Sequence, residues 1–177
     1  MAPELRGVLQ VHTYGGPLDA LSARAIAASE AREAFVHFGR LETDPVSGLS
    51  GRDQIAQRMR CADVLLLLHG TDAICAEYIP SKLFEYLWMQ RPILALVHEN
   101  AQMAAMLSAQ NHVVIQTKQE TERGYATEQA LCQAILALAH AWLRGDDLER
   151  GHSSPYSTGA AVRQLLDWQR PQTGALR

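Results

Sequence analysis

The sequence predicts one α/β domain with a parallel, doubly wound, Rossmann-like sheet and helices on both faces. Five short apolar runs rich in Val, Ile and Leu alternate with helical patterns, a rhythm that is typical of βαβ units. The third and fourth runs barely alternate between apolar and polar residues, which indicates strands buried on both faces.

The individual elements follow from the same patterns. The strand runs lie at residues 8–12, 35–38, 64–68, 93–97 and 113–116. The helical patterns lie at 18–30, 51–60, 80–90, 100–109 and 128–144. The predicted organisation is a Rossmann-like domain at 1–145, a polar linker at 146–155, a last helix at 156–170 and a loose tail at 171–177.

Composition and charge exclude several classes of protein. The chain has 177 residues, 47% of them hydrophobic, which suits one domain with a substantial core. Its net charge of -3 is spread over interspersed acidic and basic residues, so it has no electrostatic footprint for nucleic acid. The longest apolar runs, about six to eight residues, are far shorter than the roughly twenty that a membrane helix needs.

The cysteines and histidines indicate a reduced compartment and no metal site. Cys61, Cys75 and Cys132 have no C-x-x-C spacing, which favours free thiols in the cytoplasm. The 7 histidines are scattered, so we predict no metal ion and no cofactor. His69 and His98 end consecutive strands and could edge a ligand crevice, although a packed or solvated histidine is the commoner case.

One predicted helix start has the chemistry of an anion site. Pro80 suits the first helical position, where its missing N–H costs no hydrogen bond. The N–H groups of Ser81, Lys82 and Leu83 would then point out of the helix mouth, where the macrodipole favours an anion. Ser81 and Glu85 share a helix face, separated by a rise of about 6 Å. This spacing suits a ligand with a phosphate at one end and hydroxyls at the other, such as a nucleotide.

The same residues also fit a simple amphipathic surface helix. Lys82, Glu85 and Met89 would form its polar stripe, with one weak salt bridge. Against this, the chain has fourteen arginines and only two lysines, one of them at this helix start. Phe84 and Tyr86 flank Glu85, so its surroundings are not broadly solvated. Both observations favour the ligand-binding interpretation.

The pattern around this helix start resembles that of a known family. Glu77 and Glu85 are separated by seven residues, with Pro-Ser-Lys between them and Arg-Pro-Ile-Leu-Ala-Leu after them. This E-x7-E pattern resembles the donor-site motif of bacterial retaining glycosyltransferases of the GT-B architecture, similar to family 4. Segments 34–41, 61–68 and 155–162 also resemble parts of that family, so the resemblance covers roughly residues 5 to 170.

The resemblance implies a function and a set of site residues. The chain would be the donor-binding part of a glycosyltransferase that moves a sugar from a nucleoside diphosphate sugar with retention. Glu77 would lie near the donor sugar as the catalytic carboxylate, and Glu85 would bind the ribose hydroxyls. The other implied donor-binding residues are Ser81, Lys82 and Leu83 for the diphosphate, and Arg40 and Leu41 for the nucleobase.

The resemblance also implies parts for which we find no counterpart here. The family's enzymes have two Rossmann halves, and the first donor-half strand carries an Arg and a Lys that hold the leaving diphosphate. Without that strand, the order 3-2-1-4-5-6 becomes 2-1-3-4-5. We therefore expect the chain alone to be inactive and to need an N-terminal acceptor domain or a partner protein. The complete protein would be cytoplasmic, or peripheral at the inner membrane.

Two alternatives remain open, and the last helix suggests a further expectation. The chain could be a non-catalytic nucleotide-binding or interaction module on the same scaffold, or belong to a sugar-nucleotide epimerase of similar build. Leu165, Leu166 and Trp168 would lack a cover in a domain without its partner half, which predicts a weak homo-oligomer.

Overall fold

The computed structural model describes residues 5–117, 124–146, 148 and 156–168, and there the chain is a mixed α/β protein with parallel strands. The strands are β1 (Val11–Thr13), β2 (Phe35–His37), β3 (Leu65–Leu68), β4 (Ile93–His98) and β5 (Val113–Thr117). The helices are α1 (Ala20–Ala28), α2 (Gly51–Cys61), α3 (Ser81–Trp88), α4 (Ala101–Ser108), α5 (Gly124–Leu143) and α6 (Thr158–Trp168). The predicted tail lies outside the described residues, as does most of the predicted linker.

The strands form two parallel sheets, where the sequence predicted one sheet of five strands. β1 pairs with β2 over three residue pairs, and β4 lies between β3 and β5 in the second sheet. The neighbours within each sheet agree with the predicted order 2-1-3-4-5. No ladder between β1 and β3 joins the sheets in the described part of the chain. β1 has only three residues and therefore offers few backbone hydrogen bonds to a second neighbour.

The chain divides into two compact units. The first comprises Met1–Ala62 and Glu128–Asp147, and the second comprises Asp63–Thr127 and Leu148–Arg177. The β1–β2 pair therefore belongs to the first unit, and β3, β4 and β5 belong to the second. The candidate helix α3 also lies in the second unit.

Strand β4 lies in the core of the second unit. Ile93, Ala95 and Val97 are completely buried, and β4 pairs with a parallel strand on each side. Met103 and Leu107 of α4, which packs on β4 and β5, are also completely buried. Ile93, Ala95 and Val97 share one face, and on the other face Leu94 is 4% exposed and Leu96 is partly buried. Burial of the fourth apolar run on both faces is therefore confirmed, less completely at Leu96.

Strand β3 has only one buried face, so burial of the third apolar run on both faces is wrong. Leu65 and Leu67 are buried, whereas the side chains of Leu66 and Leu68 are 41% and 66% exposed. The reason is packing, because no element among the described residues covers the face that carries Leu66 and Leu68. Four consecutive leucines cannot show which face that is.

Side-chain caps begin helices α1 and α2 in the first unit. Asp19 caps α1 by accepting hydrogen bonds from the N–H and the hydroxyl of Ser22, and these bonds hold the pKa of Asp19 below its usual value. Ser50 caps α2, accepting from the N–H of Asp53 at 3.2 Å and donating to its carboxylate at 2.6 Å. Such capping satisfies N–H groups that have no partner within the helix.

The structure also bears on membrane association. Among the described residues, no helix combines the length and the apolar character needed to cross a bilayer.

The alternating burial of β3 can be tested with two neighbouring leucines. We expect Leu67→Ala to lower the free energy of unfolding by about 2–5 kcal/mol, because it leaves a cavity in the core. Leu68→Ala removes an exposed side chain and should change it by about 0.5 kcal/mol or less. Urea unfolding followed by circular dichroism measures both. Equal losses for the two variants would contradict the observed register of β3.

Candidate functional site

Helix α3 is anchored by one buried face and presents its start to solvent. Leu83 and Leu87 are buried, and their spacing of four residues places them on the same side of the helix. Ser81 and Lys82 are exposed at the first turn. Because α3 follows β3 along the chain, its N-terminus lies toward the carboxyl ends of the parallel strands, where such sheets bind ligands.

The start of α3 differs from the prediction by one residue. Pro80 is the N-cap, with φ -66° and ψ 139°, and the helix begins at Ser81. The N–H of Leu83 donates to the Pro80 carbonyl at 2.9 Å, so it is not free for an anion. The predicted set of three amide donors is therefore reduced to two. These are the N–H groups of Ser81 and Lys82, which make no hydrogen bond to any described residue.

Lys82 and Glu85 form an ion pair on the exposed side of α3. The Lys82 ammonium is 3.2 Å from a carboxylate oxygen of Glu85, and the two side chains are 49% and 40% exposed. The same ammonium lies 6.0 Å from the centre of the Tyr86 ring. Burial, with a further contribution from the charge of Glu85, raises the pKa of Tyr86 above its usual value. An exposed pair of this kind contributes little to stability, so its partners can be exchanged at low cost.

Glu77 has a free carboxylate close to this helix along the chain. It follows a short 3-10 helix at Ala73–Ala76 and precedes Pro80 by three residues. Its N–H donates to the Ile74 carbonyl at 3.3 Å. Its side chain is exposed and has no hydrogen bond or ion pair with any residue that the structure describes. The carboxylate is therefore available to a ligand.

A buried asparagine supports the loop that carries Glu77. Asn100 is 3% exposed, and its amide nitrogen donates to the carbonyls of Cys75 at 3.0 Å and Tyr78 at 3.2 Å. Its side-chain oxygen accepts from the N–H of Met103 at 2.8 Å and so caps α4. One side chain thus ties the end of β4, the start of α4 and the Glu77 loop together.

His69 adds a second contact to the same loop. Its Nδ1 accepts from the N–H of His98 at 3.3 Å, and its Nε2 contacts the Tyr78 carbonyl at 3.3 Å. Because a carbonyl can only accept, Nε2 carries the proton and the ring is neutral in this arrangement. His98 is buried and pairs with the hydroxyl of Thr117 at 3.0 Å. His98 is therefore a packed side chain, and the partly buried His69 is the histidine that contacts the loop.

Arg40 and Leu41 belong to the first unit, and the other predicted donor-binding residues belong to the second. Arg40 and Leu41 follow β2 through Gly39, whose φ of 69° favours glycine. Arg40 is exposed and Leu41 is partly buried. The Leu41 carbonyl packs directly against Gly51 at the start of α2, so closely that a side chain at Gly51 would overlap it.

An aromatic cluster at the ends of β1 and β2 was not predicted. The rings of Tyr14 and Phe38 stack with centres 5.0 Å apart. The Arg58 guanidinium lies over both rings and donates to the Tyr14 hydroxyl at 3.3 Å. Beside it is an open cavity of about 370 Å³, lined by Asp44, Leu49, Gln54, Gln57, Arg58 and Cys61. Its residues are far apart in the sequence, so no local sequence pattern indicates that they come together.

The described residues contain no candidate metal site, and the comparisons with known proteins identify no relative. Within the described ranges, no group of three or more His, Cys, Asp or Glu side chains could hold a metal ion. Comparison with models of protein families, with curated proteins and with solved structures found no match to this chain. The glycosyltransferase resemblance therefore stays a prediction from the residues that carry it.

The close contact between Leu41 and Gly51 gives a direct test of the first unit. We expect Gly51→Ala to lower the free energy of unfolding by about 1–3 kcal/mol, because the new methyl group must displace the Leu41 carbonyl. Gly16→Ala is the matched control, because a methyl group there meets nothing within 4 Å. That control should stay within about 0.5 kcal/mol of wild type. A Gly51→Ala variant as stable as the control would contradict the packing of Leu41.

Proposed function

We propose that this chain is the donor-binding part of a retaining glycosyltransferase. The observation that carries the proposal is the arrangement around α3. The N–H groups of Ser81 and Lys82 at its start, and the ion pair that joins Lys82 to Glu85 one turn further on, follow a loop that carries Glu77. None of these N–H groups, nor the Glu77 carboxylate, has a partner among the described residues. This set offers an anion site, an acceptor for hydroxyls and a second carboxylate within nine residues of sequence.

Each side chain has a distinct role in the proposal. The N–H groups of Ser81 and Lys82, with the Lys82 ammonium, bind the diphosphate. Glu85 accepts hydrogen bonds from the ribose hydroxyls, and Glu77 acts on the donor sugar as the catalytic carboxylate. Leu83 contributes by anchoring α3 in the core, because its N–H is already bonded to Pro80.

The remaining parts of the proposal extend beyond α3. Arg40 and Leu41 hold the nucleobase through their backbone groups. The scaffold is Rossmann-like, and the acceptor is bound by an N-terminal domain or by a partner protein. The protein acts in the cytoplasm, or at the inner membrane as a peripheral protein, and uses no metal ion.

A non-catalytic nucleotide-binding module is the second candidate. It is favoured by the ion pair itself, because Glu85 already compensates the charge of Lys82 and reduces the charge available to a leaving diphosphate. Loss of preorganised charge of this kind costs several kcal/mol of barrier. Because the chain alone is expected to be inactive, binding separates the two candidates. Tighter binding of a nucleoside diphosphate sugar than of its parent diphosphate, lost in Glu77→Gln, would favour the transferase, whereas equal binding of the two would favour the module.

Donor binding is tested by calorimetry with uridine, guanosine and adenosine diphosphates. We expect one of them to bind, and Glu85→Ala to weaken that binding about tenfold or more, because hydrogen bonds to a charged group are lost. Glu128→Ala, an exposed carboxylate on α5, is the control and should bind as wild type does. No binding of any of the three to wild type at millimolar concentration would refute the proposal.

Weak self-association is a separate part of the proposal. Val162, Leu165 and Leu166 of α6 are exposed, and a second copy of the chain is the partner that we propose for them. Light scattering at about 100 μM, well above typical weak contacts, should show a concentration-dependent dimer. Leu165→Glu should restore the monomer, and Arg163→Glu on the same helix should not. A clean wild-type monomer at that concentration would contradict this expectation.

A further inference from the structure

We infer that Asn100 and His69 are positioning residues that hold the Glu77 carboxylate ready for the donor sugar. The identity of the ligand rests on the proposed function, whereas the restraint on the loop rests on the hydrogen bonds alone. Nothing in the sequence pattern around Glu77 assigns a role to either residue, since Asn100 lies 23 positions further along the chain.

The hydrogen bonds restrain the backbone on both sides of Glu77. The Asn100 amide donates to the carbonyl of Cys75, two residues before Glu77, and to that of Tyr78, one residue after it. His69 donates to the same Tyr78 carbonyl. Glu77 therefore lies between two anchored peptide groups, while its own side chain has no partner in the part of the chain that the structure describes.

The loop is also closed by packing. A methyl group added at Gly70 would come within 2.8 Å of the Cys75 sulfur, so the strand end and the 3-10 helix approach closely. Asn100 is buried, and opening the loop would break both hydrogen bonds from its amide to the loop carbonyls. Loss of these bonds is unfavourable, which favours the closed loop before any ligand arrives.

This arrangement matters chemically because a preorganised carboxylate does not have to be ordered during the reaction. A displacement of about 1 Å in a reacting group can cost a factor of about one hundred in rate. Groups of this kind act best when buried neighbours fix them on a rigid support. Asn100 and His69 provide that support without contacting the ligand themselves.

Two pairs of substitutions separate positioning from general stability. Asn100→Asp keeps the oxygen that caps α4 but loses both N–H donors to the loop, and Asn100→Ser serves in its place if that variant fails to fold. His69→Ala removes the second donor. His69→Gln can still donate to Tyr78 and accept from His98, so it should restore the wild-type behaviour.

The experiment combines binding with hydrogen exchange. Calorimetry compares uridine, guanosine and adenosine diphosphates with the glucose ester of each. We expect wild type to bind one ester more tightly than its parent diphosphate. Asn100→Asp and His69→Ala should reduce that preference about tenfold, while the diphosphate affinity stays within about twofold. Without ligand, the amides of residues 74–78 should exchange about tenfold faster in both variants.

The outcomes distinguish this inference from the proposed function. If no diphosphate or ester binds wild type, the proposed function and the sugar role of Glu77 both fail. Hydrogen exchange then still decides whether Asn100 and His69 hold the loop. If a diphosphate binds but the preference for its ester survives in Asn100→Asp and His69→Ala, the positioning role is overturned. Unchanged exchange in residues 74–78 would overturn it whatever the binding result.

Discussion

The burial of strand β4 is the constraint on which the second unit depends. Its residues Ile93, Ala95 and Val97 are inaccessible to solvent, and it is the strand that pairs on both sides in its sheet. Its position fixes where β3 ends and where α4 begins. The loop between β3 and α3, and with it the start of α3, is held from these two points through His69 and Asn100.

Support and ligand binding are assigned to different kinds of polar group in this unit. Asn100 and His98 are buried and hydrogen-bonded, so replacing them exposes the full cost of unsatisfied polar atoms. Lys82, Glu85 and Glu77 lie at the surface, where an ion pair is worth about 0–1 kcal/mol. The rigid part of the site is therefore internal, and the groups offered to a ligand can change partners without unfolding their surroundings.

The sequence predicted the positions of strands and helices, which depend on local patterns. It did not predict features that depend on contacts between residues far apart in the chain. Four of the five strands were located within one residue from their apolar runs, whereas β1 begins at Val11, three residues after the predicted start. Helix α3 was located from its Pro-Ser-Lys start. The same runs could not tell that β3 has a bare face, because that depends on its neighbours in space. Pro80 has a φ of -66°, which suits both an N-cap and a first helical residue. The sequence therefore could not decide between these positions, and Leu83 was counted as a free donor.

Asn100 shows the same limit most clearly within the site. An asparagine before a helix is readable as an N-cap, but its two loop acceptors lie 22 and 25 positions away. The role of its amide becomes visible only when the path of the loop is known. The Tyr14–Phe38–Arg58 cluster is hidden for the same reason, because Arg58 is 44 positions from Tyr14.

The Lys82–Glu85 pair limits which ligands suit the start of α3. A simple anion that drew Lys82 away would leave Glu85 as an unpaired carboxylate beside the added negative charge. A nucleoside diphosphate offers Lys82 a new acceptor and also brings ribose hydroxyls that can donate to Glu85. Both members of the pair then exchange one partner for another, and the exposed pair that is lost contributed only about 0–1 kcal/mol. The Lys82–Glu85 pair would also occur on a simple surface helix. In the proposed function, however, it favours a ligand that has both an anion and hydroxyl donors over phosphate alone.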